Sequence, residues 1–292
     1  ALATTWAMVA YVMAQSHPHW AWRYGFFAAL ALGLLTKGPL VGVLVAGPLL
    51  AGFLCHRQAR SGFMTMPWIS GFILTLILSL PWYILAELKT PGFLNYFLVG
   101  EHFYRFVDPG WAGDLYGSAH RELKGKIWVD FGVAALPWSL VALAVLLRKV
   151  GSPTGRARIT STVRDPVRFY LMSWALFSPL FFTLSGNILW TYAWPALPAF
   201  SILLALSLEE TFERSIALRR AIGVLVLVSP LVCTVVFTVR ALQPMTLKTE
   251  KFLVQEAFAQ MKPGDKLAYV GPIPFSATFY SVGKAMSVAV ES

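Results

Sequence analysis

Four groups of polar residues interrupt an otherwise apolar chain at spacings that suit chemistry on a phosphate. Lys37 stands alone in LGLLTKGPLVGVLVAGPLL (32–50), and a cation set in hydrocarbon is a functional candidate by default because leaving it there is costly. Glu101, His102 and Arg105 follow in EHFYRF (101–106), with Glu101 and Arg105 at i and i+4 and therefore on one helix face. The same loop closes on a mixed-charge stretch, DLYGSAHRELKGK, from Asp114 to Lys126. Tyr192, flanked by Trp190 and Trp194, comes just after the turn Ser185-Gly186-Asn187. Lysine meets a phosphate as a point charge and arginine as a bidentate donor. Converging at a membrane boundary under an amphipathic loop, the two suit a ligand with a phosphate in the headgroup layer and an apolar tail in the lipid, which is the shape of a lipid-linked phosphosugar.

Each group also has a purely structural reading. Glu101 and Arg105 can be an exposed ion pair, worth about 0.2–1 kcal/mol, and His102 an interfacial hydrogen-bonder. Trp190 and Trp194 fit an aromatic belt. Lys37 can snorkel to the headgroups, or sit in a turn formed by Thr36, Lys37, Gly38 and Pro39. What favours the chemical reading is that all four groups fall on one side of the membrane.

That side follows from composition and loop charge. Of 292 residues, 57% are hydrophobic and 13% charged, against roughly 25% charged in an ordinary soluble domain, and the mean hydropathy is +0.63. The chain reads as an all-α polytopic membrane protein. Its net charge of +10 does not point to nucleic acid, because the basic residues gather in particular loops. The segment 148–168 (RKVGSPTGRARITSTVRDPVR) carries six Arg or Lys and one Asp, and CHRQAR (55–60) and the stretch around Arg214, Arg219 and Arg220 are basic too; such loops are cytoplasmic by the positive-inside tendency. Cys55 and Cys233 lie far apart, in or beside apolar stretches, and read as packing residues.

Hydropathy places spans at 1–14, 21–36, 39–54, 68–86, 127–147, 168–184, 189–207 and 217–239, with 21–54 also short enough for a re-entrant hairpin. If they alternate sides, the Arg-rich loops share one face and the T-K-G-P turn, the loop 87–126 and the Ser185-Gly186-Asn187 turn share the other. In that loop Phe93, Tyr96, Phe97, Gly100, Phe103 and Phe106 form a helical stripe in the interface plane, broken by Pro109, Gly110 and Gly113. After the last span, 248–261 reads as an amphipathic helix, Pro263-Gly264-Asp265 as a turn and KLAYVG as a strand, followed by a further short helix and strand. The expected division is a transmembrane domain at 1–241 and the start of a small α/β domain at 242–292. The apolar, Met-less start reads as a fragment lacking earlier spans.

Several motifs occur in order: L-x-x-L-T-K-G-P at 32–39, P-W-Y at 81–83, P-G-F-L-x-Y-F at 91–97, E-H-x-x-R-F at 101–106, A-L-P-W at 135–138 and T-Y-x-x-P-A-L-P at 191–198. This set resembles the GT-C glycosyltransferases of the dolichyl-phosphate-mannose protein mannosyltransferase type, and especially the bacterial aminoarabinose transferase branch that modifies lipid A. The resemblance implies a GT-C helical bundle in the bacterial inner membrane, a polyprenyl-phosphate-linked sugar as donor, transfer at the periplasmic face, and a small periplasmic α/β domain after the last span.

It further implies that Lys37 takes the place of a cavity lysine beside the lipid phosphate and Tyr192 that of a cavity tyrosine. The residues themselves suggest that Arg105 assists Lys37 and that Glu101 and Trp190 contact substrate. His102 would match a histidine that helps bind a zinc ion together with a glutamate from an earlier loop. Many relatives have S-K-L-P-T-Y where this chain has N-I-L-W-T-Y (187–192), so one cationic contact is lost or moved. The acidic residues expected to bind or deprotonate the acceptor would lie before residue 1. The acceptor stays open among lipid A, a protein hydroxyl and another glycan. A polyprenyl-phosphate-sugar flippase would spread polar groups through the membrane depth, whereas here they gather on one face; a non-enzymatic assembly factor is the remaining alternative.

Overall fold

The computed structural model describes residues 1–113, 120–212, 216–243, 249–271 and 273–288. The first part of the mixed-charge stretch, at 114–119, lies outside them. Two compact units, 1–215 and 216–292, divide the chain.

The first unit opens with α1 (Leu2–Ser16), α2 (Trp20–Lys37), α3 (Leu40–Cys55), α4 (Arg57–Met64) and α5 (Trp68–Lys89). A π-helical segment, Asn95–Tyr104, runs into the single turn α6 (Arg105–Val107); α7 (Lys126–Ala134), α8 (Trp138–Val150), α9 (Pro153–Arg164) and α10 (Pro166–Thr183) follow. A 3-10 turn, Trp190–Ala196, then leads into α11 (Leu197–Phe212).

Among the described residues three helical stretches are long and apolar enough to cross a membrane, Trp68–Lys89, Trp190–Glu209 and Ile216–Leu242, and α7 with α8 makes a fourth if the bent pair is one span. The helices α1, α2, α3 and α10 run 15 to 18 residues and owe their stability to one another. Met8, Phe26, Phe27, Val45, Tyr170 and Trp174 form their shared core. Within it the Tyr170 hydroxyl donates to the Met8 carbonyl at 2.8 Å, which gives the polar tip of a buried ring its partner.

The outer helix α5 shows how an apolar segment docks without a hydrophobic gradient to drive it. Its buried residues are Gly71, Thr75, Ser79 and Tyr83, a stripe at i, i+4 whose three smaller members let two backbones approach. The Thr75 hydroxyl donates to the Phe27 carbonyl at 3.0 Å and the Tyr83 hydroxyl to the Leu34 carbonyl at 2.7 Å, both on α2. A Cβ at Gly71 would overlap the Phe27 ring. The opposite face, with Ile69, Ile73, Ile77, Leu80, Ile84 and Leu88, is exposed, as suits contact with lipid tails.

Three expectations change. The span 127–147 is broken into α7 and α8, which meet at 107°, because Pro137 offers no amide to the preceding turn and its ring disfavours helical backbone at Leu136. The basic segments read as loops are partly helical: α4 follows Cys55, and in α9 the Ser152 hydroxyl accepts from Gly155 N at 3.0 Å with Pro153 at the first helical position. Neither cysteine is a packing residue, since Cys55 and Cys233 are both exposed; each lies on the outer surface of its helix.

The second unit begins with α12 (Ile216–Leu242) and continues with α13 (Lys251–Gln260), β1 (Ala268–Val270), α14 (Phe275–Tyr280) and β2 (Met286–Val288). The strands pair in parallel, Ala268 with Met286 and Val270 with Val288, a register that the α14 crossover allows.

Candidate functional site

The T-K-G-P motif is a helix end joined to a helix start. Lys37 is the last residue of α2, and the Gly38 amide closes that helix on the Leu34 carbonyl at 2.8 Å. Gly38 has φ 74° and ψ −158°, backbone that only glycine adopts readily, and a Cβ there would meet the His102 and Phe97 rings at 2.7 and 2.8 Å. Pro39, with φ −58°, then caps α3. Lys37 is exposed and makes no ion pair among the described residues. Its Nζ lies 6.0 Å from the centroid of the Tyr192 ring, at the outer limit of a cation–π contact.

A roof of loop residues covers this turn. Glu87, near the end of α5, accepts hydrogen bonds from the Gly92 and Leu94 amides at 2.8 and 2.7 Å and so fixes where the loop helix begins. The wide π-helical coil brings residues five apart together. Thus the Tyr96 hydroxyl donates to Glu101 Oε1 at 2.7 Å, while Arg105, one α-turn on, donates to Glu101 Oε2 at 2.6 Å. The Glu101 and Arg105 side chains are 18% and 19% exposed, so this pair is better shielded than a free surface bridge. The His102 ring stands between two carbonyl oxygens, with Nδ1 2.6 Å from that of Phe97 and Nε2 2.9 Å from that of Lys37.

The far side is held by Asn187. Its Nδ2 donates to the carbonyls of Arg105 and Asp108 at 2.6 and 2.7 Å, and its Oδ1 accepts from Gly110 N at 3.0 Å. Tyr192 is set from α10: the Ser178 hydroxyl donates to its carbonyl at 2.7 Å, and Phe182 stacks on its ring at 4.4 Å. Two clefts meet at this point. One of about 170 Å³ is lined by Lys37, Glu101, His102, Arg105 and Tyr192 with apolar residues that include Val43, Phe97 and Phe106. The other, about 330 Å³, reaches from Lys37 and Tyr192 past Leu44 to Thr4 and Trp194. Lys37, Leu40, Phe182 and Tyr192 wall both.

No family model matches the chain. Over 209 residues it is 28% identical to the undecaprenyl phosphate-alpha-4-amino-4-deoxy-L-arabinose arabinosyl transferase of Yersinia pestis (strain Pestoides F), a match covering 69% of this chain and 34% of that protein. The transferase of the same name from Serratia proteamaculans (strain 568) is 27% identical over 212 residues, covering 70% of this chain and 34% of that protein. The crystal structure of ArnT from Cupriavidus metallidurans bound to undecaprenyl phosphate superposes with a TM-score of 0.68 at 19% identity, covering 98% of this chain and 61% of that one. Its apo form gives 0.63 at 18% identity, covering 98% and 60%. This is the ArnT fold. The chain spans about a third of the length of the curated relatives it matches.

Within this ArnT-like framework five of the six residues singled out by sequence line one cleft: Lys37, Glu101, His102, Arg105 and Tyr192. Trp190 does not join them; it is 55% exposed and packs edge-on against Trp194. The expected zinc site joins His102 to a glutamate of an earlier loop; here His102 Nδ1 and Nε2 lie 2.6 and 2.9 Å from carbonyl oxygens, and no group of three His, Cys, Asp or Glu comes together among the described residues. Asn187, Glu87 and Ser178 were missed. Asn187 stands after Ser-Gly, which marks a turn and not a clamp, and opens the N-I-L-W-T-Y stretch that departs from the relatives' pattern.

Proposed function

We propose that this chain forms the donor-phosphate half of a membrane glycosyltransferase. It moves a sugar from a polyprenyl-phosphate carrier to a lipid A, protein or glycan acceptor at the periplasmic face of the bacterial inner membrane. The observation that carries this reading is that Lys37 and Tyr192 are the common wall of two clefts, with Arg105 lining the first. A two-substrate transfer needs two sites that meet at the reacting atoms, and a cation at their junction serves a phosphate leaving group.

In the reaction, the bond between the anomeric carbon and the carrier phosphate breaks, its electron pair stays on the phosphate oxygen, the acceptor oxygen bonds to the anomeric carbon, and the acceptor hydroxyl gives its proton to water. Negative charge therefore grows on the phosphate as the transition state is reached. The Lys37 ammonium stabilises that charge most when it is fully developed, which raises the rate and not merely the binding. Arg105 adds a directional donor. Glu101, bound by both Tyr96 and Arg105, holds Arg105 in place and is not assigned the acceptor's proton. Phe97, Phe106 and Val43 give the carrier's apolar tail a lining.

The assay uses the full-length protein in membrane vesicles supplied with undecaprenyl phosphate-linked 4-amino-4-deoxy-L-arabinose and lipid A, and follows release of undecaprenyl phosphate. Acceptor-dependent release that is competed by added undecaprenyl phosphate, but not by undecaprenol, supports the proposal. Equal competition by the phosphate-free alcohol would overturn it.

A further inference from the structure

A third cleft, of about 520 Å³, lies at the opposite end of α2 from Lys37, where the end of α1, α4 and the start of α10 converge. Arg23 lines it, 14 residues and therefore about 21 Å along the helix from Lys37. The Arg23 Nε is buried and finds no hydrogen-bond partner, and its guanidinium makes no ion pair among the described residues. No Asp or Glu is among the described residues lining the cleft. Asp165, just before the lining residue Pro166, accepts from the Arg168 amide at 2.7 Å as the cap of α10. The Nε is the buried part of this group; a buried donor without a partner is unfavourable to keep, and an anion in the cleft that Arg23 lines would supply one.

The other polar groups around the cleft point to what that partner is. Gln15, Gln58 and Ser61 line it, are exposed and make no side-chain hydrogen bond among the described residues, so two carboxamides and a hydroxyl are open to a ligand beside the five N–H groups of an arginine. One wall is aromatic, formed by Tyr11 stacked on Tyr170 at 5.9 Å. An arginine fork with neutral donors around it recognises tetrahedral oxyanions.

We propose that this cleft binds a phosphate group, anchored by Arg23 and completed by Gln15, Gln58 and Ser61, at a site separate from the Lys37 cleft. The phosphate comes from the headgroup of an anionic lipid or from a soluble phosphorylated compound.

The test uses the full-length protein, stripped of lipid in dodecyl maltoside. Native mass spectrometry measures retention of phosphatidylglycerol against diacylglycerol, and thermal unfolding compares sodium phosphate with sodium chloride at matched ionic strength. Phosphatidylglycerol retained at least about tenfold better than diacylglycerol, with that preference lost in Arg23→Ala and kept in part in Arg23→Lys, establishes the site with a lipid headgroup. Stabilisation by sodium phosphate that Arg23→Ala abolishes, without lipid preference, establishes it with a soluble phosphate. If Arg23→Ala does not fold, Gln58→Ala on the exposed face of α4 must weaken whichever signal is seen. Neither signal in the wild type, or signals that Arg23→Ala and Gln58→Ala leave unchanged, overturns the proposal.

Discussion

His102 holds Lys37 by its backbone: the ring Nε2 stands 2.9 Å from the Lys37 carbonyl oxygen, and Nδ1 of the same ring 2.6 Å from that of Phe97. One imidazole thus ties the loop roof to the turn that carries the ammonium group. A carbonyl oxygen only accepts, so a ring with one N–H serves one of these contacts and a ring with two serves both. Replacing His102 with Ala removes the tie, at about 1 kcal/mol for each hydrogen bond. We expect a lower melting temperature for the full-length protein and faster proteolysis between residues 90 and 108, with the helices below intact by circular dichroism.

Gly38 is the counterpart on the other side of that contact. Gly38→Ala puts a methyl group against the His102 and Phe97 rings at a φ of 74°, and strained backbone of this kind costs about 1–3 kcal/mol by itself. The variant should lose transfer activity more than stability, since the displaced ring carries the Lys37 carbonyl with it. Paired melting and turnover measurements check this, and wild-type turnover in a fully folded Gly38→Ala protein speaks against it.

Asn187 offers a test of polarity at constant size. Asn187→Ala deletes three hydrogen bonds around the end of the loop helix, a loss of about 2–4 kcal/mol. Asn187→Asp does worse than Ala in this account, because it turns the donor facing the Arg105 and Asp108 carbonyls into a third acceptor. Ranking the three proteins by unfolding temperature decides the matter, and an Asp variant more stable than the Ala variant would refute the clamp.

The docking of α5 predicts a rescue. Gly71→Ala drives a methyl group into the Phe27 ring, an overpacking that typically costs about 1–3 kcal/mol. Phe27→Ala opens a cavity of its own, yet the double variant should be more stable than the sum of the two losses implies. A double-mutant cycle in detergent measures the coupling, and simple additivity would show that the two residues are not in contact.

The candidate site was legible where residue type and helical spacing coincide. Lys37 in an apolar run, Glu101 with Arg105 at i+4, and the aromatic stripe from Phe93 to Phe106 each carry a local pattern, and in the structure Lys37, Glu101, His102, Arg105 and Tyr192 share one cleft. The clamps were not legible, because Asn187 acts on the Arg105 and Asp108 carbonyls about 80 residues earlier in the chain, and Ser178 acts on the backbone of Tyr192. Hydropathy averages over a window, so it read 127–147 as one straight span although a single proline bends it. It also overlooked α4 and α9, whose polar composition conceals their helical start signals. Trp190 is expected at the substrate beside Tyr192, but it is 55% exposed and lines neither cleft.

On the proposed function, the Lys37 ammonium carries the charge developing on the carrier phosphate. The most direct measurement is steady-state release of undecaprenyl phosphate by full-length wild-type and Lys37→Ala proteins inserted at equal levels in the same membranes. Loss of one such transition-state contact lowers kcat by about 10²–10³-fold, and a fall of that size with a smaller change in KM is expected. Unchanged kcat in a correctly inserted Lys37→Ala protein would contradict it.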